Sequence, residues 1–203
     1  AGSRAVMQTR RRMEYQPGNS HRLLFTGRLN GVEPGISKRF GMFDDNNGFF
    51  LEAEGTTFNA VIRSDTSGSV VDTKIPSSSW NGDKLDGNGP SGFNLGTADF
   101  DKVVVYAIDF AWLGAGFVRY GILIDGVFYT LHVEYVSVRK SLTWTKSAVL
   151  PFRAELVTGA GASSGSTLDI LCTSYTIEGQ VSNQQARVRV VNDNNTFISY
   201  DKD

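Results

Sequence analysis

The sequence predicts an all-β protein, a two-sheet antiparallel β-sandwich or jelly roll, on three observations. The first is the stretch 103–138, where three runs rich in Val, Ile, Tyr and Phe are separated by Leu113-Gly114-Ala115-Gly116 and by Asp125-Gly126. Such residues suit a pleated, half-buried surface. Asp-Gly between two of these runs supplies the positive φ angles that a type I′ hairpin turn needs. The second is that about a dozen short β-rich segments recur at roughly 8–12-residue spacing, punctuated by turn residues. The third is that no window shows a capped amphipathic helix.

The elements follow in order. Residues 1–14 are polar and basic, with Arg4 and the run Arg10-Arg11-Arg12, and read as a solvated arm or the edge of a first strand. Tyr15 to Asn19 is turn chemistry, and His21 to Leu29 is a strand centred on Leu23-Leu24-Phe25. Arg39 to Glu54 holds two short strands around Asp44-Asp45-Asn46-Asn47-Gly48, a hairpin loop by composition. Further strands are expected over Thr57–Ser64 and Ser69–Ile75. Trp80 to Gly92 is the longest turn-dense segment, a structured crossing loop with Trp80 and Leu85 as apolar pins. The central stretch predicts strands at roughly 103–112, 116–124 and 127–138. Beyond it, Ser141–Ser147, Pro151–Val157 and Leu168–Glu178 read as strands, with Thr158–Thr167 a flexible loop. The expected organisation is an arm (1–14), a sandwich domain (15–180) and a C-terminal β-ribbon or docking tail (181–203). In the tail, Arg187 to Val191 and Thr196 to Tyr200 flank Asn192-Asp193-Asn194-Asn195.

Composition narrows the function classes. Twenty basic and 21 acidic residues leave a net charge of −1, which argues against a specific nucleic-acid partner held by phosphate contacts. No apolar run approaches the ~18 residues of a membrane span, and no signal-peptide pattern opens the chain. A single cysteine, Cys172, rules out an intrachain disulfide, and its neighbours Ile170 and Leu171 predict a buried, inert thiol.

Groups suited to catalysis are sparse. His132 and Glu134 are two apart on one strand and share a face, as an acid–base pair would. The competing reading is a solvent-facing polar pair opposite apolar Leu131, Val133 and Tyr135. His21 has no recognisable partner nearby in sequence. Glu52 and Glu54 also share a face, about 7 Å apart along the strand, close to the separation of a glycoside hydrolase's carboxylates; the clustered E-x-D-x-E acids of sandwich-fold glycosidases are absent, and surface carboxylates are the better reading. The oxygen-rich segments 44–48 and 83–88 could hold Ca²⁺, yet neither matches the D-x-[DN]-x-[DN]-G pattern. No metal and no cofactor is expected.

From Arg39-Phe40-Gly41-Met42-Phe43-Asp44 and Asn47-Gly48-Phe49-Phe50-Leu51-Glu52 onward, the chain resembles a family of virion structural proteins of tailed phages, especially large aquatic ones, and some giant viruses. The likeness continues through Val61-Ile62-Arg63-Ser64, Val71-Asp72-Thr73, Trp80-Asn81, Asp83 to Gly87 and Gly89 to Gly92. It runs on through Ile108-Asp109, Trp112 to Gly116, Val118-Arg119, Gly121, Ile124-Asp125-Gly126 and His132, and covers about residues 10–180. No catalytic residue comes with the resemblance. The strand alternation and the Ile-Asp-Gly hairpin also look like concanavalin A-like sandwiches, an analogy of fold alone.

The resemblance implies a non-enzymatic component of the virion, assembled in the host cytoplasm as a homo-oligomer and docking other virion proteins in the capsid, tail, baseplate or fibre. Arg10, Arg11 and Arg12 in the arm, with Arg187 and Arg189 in the tail, are the docking candidates. The alternative is a lectin-like module of a tail or fibre that binds a host-surface glycan through Trp80, Asp83, Asp86 and Asn88. A third reading is a glycoside hydrolase using Glu52, Glu54 or Glu134.

Overall fold

The computed structural model describes residues 2–94, 101–113, 116–137, 141–159, 161–162 and 166–178. Among them are eleven strands and one short 3₁₀ turn, Ser77–Ser79. The strands are β1 (Arg4–Gln8), β2 (Ser20–Arg28), β3 (Ile36–Phe43), β4 (Gly48–Glu54), β5 (Thr57–Ser64) and β6 (Val71–Pro76). They continue with β7 (Val104–Ala111), β8 (Phe117–Ile124), β9 (Val127–Tyr135), β10 (Phe152–Thr158) and β11 (Asp169–Glu178). A six-stranded sheet runs β1-β10-β3-β4-β5-β6 and a five-stranded sheet β11-β2-β7-β8-β9, antiparallel throughout. The chain is thus the two-sheet sandwich its alternation predicts.

Strand alternation places Phe40, Met42, Phe49, Leu51, Phe58 and Phe152 from one sheet against Leu23, Phe25, Tyr106, Ile108, Phe110 and Ile122 from the other. Phe25 lies at the centre, its ring 5.3 Å from Phe40, 5.5 Å from Tyr106 and 5.4 Å from Phe152. The Tyr120 hydroxyl crosses the core and donates to the Val61 carbonyl at 2.7 Å, joining β8 to β5. Asp125 and Gly126 both adopt positive φ (52° and 78°), as the hairpin between β8 and β9 requires.

Three expectations are corrected. The segment 141–147 forms no strand. Side chains hold it instead: the Trp144 ring packs 4.6 Å from Phe49, the Asn47 Oδ1 accepts the Lys146 N–H, and Thr145 Oγ1 accepts the Trp112 indole N–H. Cys172 is exposed, because β11 is an edge strand whose register slips between Ile170 and Cys172 and turns the thiol off the core.

The third correction concerns β9. A register shift between Tyr120 and Gly121 pairs Tyr120 with His132 but Gly121 with Thr130. His132 therefore shares the inward face of core residue Tyr120, and Glu134 that of core residue Val118. Tyr135 points outward and is 48% exposed. The bulge inverts the alternation that the bare sequence shows.

Candidate functional site

On the outward face of the six-stranded sheet, the register lays Glu155, Arg39, Glu52 and Asn59 in one row across β10, β3, β4 and β5. The next row holds Arg153, Gly41, Phe50, Val61 and Lys74. Arg39 donates to Glu52 at 2.6 Å and to Glu155 at 3.1 Å. The Lys74 ammonium sits 2.8 Å from Glu52 Oε2 and 2.6 Å from Glu54. Arg4 donates to both Glu155 and Asp45 at 2.7 Å, and Arg63 grips Asp72 with two hydrogen bonds of 2.8 Å.

Beneath this mesh Phe43 and Phe50 pack with centroids 4.3 Å apart. The Arg63 guanidinium lies 5.2 Å from the Phe50 ring, and that of Arg153 lies 5.5 Å from Phe43. A Cβ at Gly41 would come within 2.8 Å of the Phe50 Cβ, so only glycine leaves the ring its place. Glu52 is consequently fully buried rather than a surface carboxylate. With both oxygens held by cations it serves as a structural acceptor.

Glu52 and Glu54 do share a face, but Glu134 belongs to the other sheet, so the three carboxylates do not converge. His132 Nδ1 accepts the Asn81 N–H at 3.4 Å, and Nε2 lies 3.5 Å from Glu134 Oε2. Burial pushes this imidazole below its ordinary pKa, and the Glu134 carboxylate opposes that push. His132 is buried and Glu134 half-buried, so the pair is not the solvent-facing couple read from the sequence.

The loop after Trp80 is organised inward. Trp80 is 2% exposed, packs edge-on against Phe58 and donates its indole N–H to the Ile75 carbonyl. It is the apolar pin and does not offer a sugar-stacking face. Asp83 is buried, accepting the Leu85 N–H with one oxygen and the Ser91 N–H with the other, both at 2.8 Å. Asp86 accepts the Asn88 N–H; both residues are exposed. The four residues read together from the sequence as a glycan site are thus split, two inside and two out. Asp44 is likewise engaged by its own turn, accepting the Asn46 and Asn47 N–H groups at 2.9 Å. Among the described residues no cluster of three His, Cys, Asp or Glu forms that could hold a metal ion.

Of the candidate docking arginines, Arg12 donates to Asp44 and to the Val149 carbonyl, Arg11 pairs with Glu14, and Arg10 is exposed. Arg187 and Arg189 lie outside the described residues, as do both predicted tail strands.

A site that sequence reading missed lies at the other end of the sandwich. Between β5–β6 and the segment 141–144 is a cleft of about 440 Å³. Six hydroxyl-bearing residues line it, Ser64, Thr66, Ser67, Thr73, Ser141 and Thr143, of which Ser64 and Thr66 share a hydrogen bond and Ser67 donates to the Ser69 carbonyl. The apolar part of its wall comes from Ile62, Val71, Leu142 and Trp144. Trp144 is 2% exposed and its indole N–H has no hydrogen-bond partner. Beside the cleft, Asp65 Oδ1 is also buried without a partner, while Oδ2 is 3.3 Å from the Lys146 ammonium. The sequence signal was present only as serine and threonine density in two segments separated by the whole central stretch.

No protein-family model and no curated protein matches the chain. Solved structures do resemble it. An endo-β-1,4-glucuronan lyase from the fungus Trichoderma reesei has 13% identity and a TM-score of 0.45, covering 87% of this chain and 73% of its own. A β-1,3-glucanase from Mycobacterium marinum has 10% identity and a TM-score of 0.49, covering 84% and 67%. A legume lectin-like domain from Entamoeba histolytica has 11% identity and a TM-score of 0.42, covering 86% and 79%. At this similarity the likeness concerns the fold and assigns no activity to the chain. It does correct one expectation: with a lyase, a glucanase and a lichenase among the similar structures, the sequence-based expectation of a non-enzymatic chain does not stand. Among the described residues no helix is long and apolar enough to cross a membrane.

Proposed function

We propose that this chain is a carbohydrate-binding module whose ligand, one or two sugar units, seats in the cleft between β5–β6 and residues 141–144. The observation that carries the reading is the cleft itself, whose wall sets six serine and threonine residues beside the apolar Ile62, Val71, Leu142 and Trp144. A volume near 440 Å³ falls within the ~300–1,000 Å³ of small-ligand sites. Hydroxyl groups donate and accept alike, which suits a neutral polyol rather than a charged ligand. On the resemblance to virion structural proteins, such a module would sit on a virus particle and recognise a host-surface glycan. That placement is part of the proposal and rests on the sequence likeness alone.

A glycan array followed by calorimetry on the strongest hits tests the reading. Thr73→Val and Thr143→Val each remove one hydroxyl and keep the shape; each is expected to weaken binding roughly 3–10-fold, the worth of about one hydrogen bond. Binding that both variants leave untouched, or no saturable sugar binding by the parent chain, refutes the assignment.

A further inference from the structure

Four strands end the two sheets: β1 and β6 in one, β11 and β9 in the other. Natural sheets blunt such edges against chance pairing, and three of these are blunted. Along β9, Gly82 and Asp83 donate their N–H groups to Leu131 and Thr130, and the Asn81 side-chain amide pairs with the backbone of Val133. β6 ends in Pro76, and β11 carries the register slip at Leu171. Among the described residues β1 has none of these devices. It is a five-residue strand, exposed at every position, with Val6 45% and Met7 52% exposed.

The ladder to β10 defines which backbone groups are free. Thr9 donates to the Phe152 carbonyl and Thr158 to the Ser3 carbonyl, so the odd-numbered residues of β1 face β10. The N–H and C=O groups of Arg4, Val6 and Gln8 therefore point to the open side. Val6 sits at the centre of this set, which makes the edge self-complementary under a twofold axis.

We infer that β1 is a homodimer interface, pairing antiparallel with β1 of a second copy about an axis at Val6 and joining the two six-stranded sheets into one. In that register Val6 meets Val6 of the partner subunit, Met7 meets Ala5 of the partner subunit, and Arg4 meets Gln8 of the partner subunit. The ladder gains about six backbone hydrogen bonds, and no like charges stand opposite one another. Arg4, the one charged residue of the strand, is already neutralised within its own chain by Glu155 and Asp45. The added strand also covers the apolar opening beside β1, where Met7 lies near exposed Val103 and Leu171. A contact of five residues a side buries less than the ~1,000 Å² of a standard interface. The dimer is accordingly weak and concentration-dependent, and it does not depend on what the distant cleft binds.

Sedimentation equilibrium across a concentration series tests the pairing. The parent chain is expected to shift from monomer to dimer. Val6→Lys, which sets two ammonium groups face to face, should stay monomeric with an unchanged circular dichroism spectrum. In a Cys172→Ser background, Val6→Cys should form a disulfide-linked dimer on mild oxidation, since directly opposed residues of a hydrogen-bonded pair stand about 5.5 Å apart at Cα. A parent chain that is monomeric throughout, a dimer that Val6→Lys leaves intact, or a Val6→Cys chain that resists cross-linking overturns the interface. The cysteine variant decides the matter if the lysine variant does not fold.

Discussion

His21 heads β2 with its ring 4.9 Å from Tyr15, 5.1 Å from Phe110 and 5.9 Å from Tyr175. Its Nε2 accepts the Gln16 N–H at 3.1 Å. Burial lowers its pKa to about 4, so between pH 6.5 and 4 the unfolded chain takes up a proton that the folded chain refuses. Stability is therefore complete above pH 6.5 and falls as pH drops toward 4, by about 3 kcal/mol at most. Urea titrations across this range should show the fall, and His21→Phe should flatten it; an unchanged slope in the variant would assign the effect elsewhere. The surface carboxylates act in a separate window. Hydrogen bonds from Arg4 and then Arg153 hold Asp45 at about 2, so its contribution is lost only below the ordinary carboxylate range. The sequence showed His21 without a visible partner. Its surroundings come from residues 6, 89 and 154 positions away, and no local pattern reports them.

At the scale of elements, most strands were legible because their chemistry is local. The Asp125-Gly126 turn, the β-rich runs on either side and the hairpin at 44–48 follow from what each residue does to its own backbone. The inward turn of His132 was not legible, because one extra residue in β9 reverses the faces and only the pairing with β8 reveals it. The same bulge is where the loop after Trp80 attaches. Gly82 approaches so closely that a Cβ there would lie 2.3 Å from the Thr130 carbonyl oxygen, a backbone atom that cannot swing away. Gly82→Ala is therefore expected to push the loop off β9, at a cost on the order of 2 kcal/mol. Hydrogen exchange at the Gly82 and Asp83 amides should rise in step. Unchanged exchange in the variant would mean the loop is pinned elsewhere.

For the molecule as a whole, one apolar core fills the space between the two sheets with Phe25 at its centre, in ring contact with Phe40 and Phe152 of one sheet and Tyr106 of the other. Phe25→Ala should cost about 3–5 kcal/mol. The loss should appear as one cooperative transition shared by both sheets, and two separated transitions in calorimetry would contradict the single core. The amino-acid sequence by itself determined the fold class, since side-chain alternation and turn chemistry act between near neighbours. Only the tertiary structure decided the burial of Glu52, the inward role of Trp80, the exposure of Cys172 and the cleft at Trp144. Each depends on which distant strand lies alongside and in what register, a choice set by packing across the sandwich rather than by any stretch of chain alone.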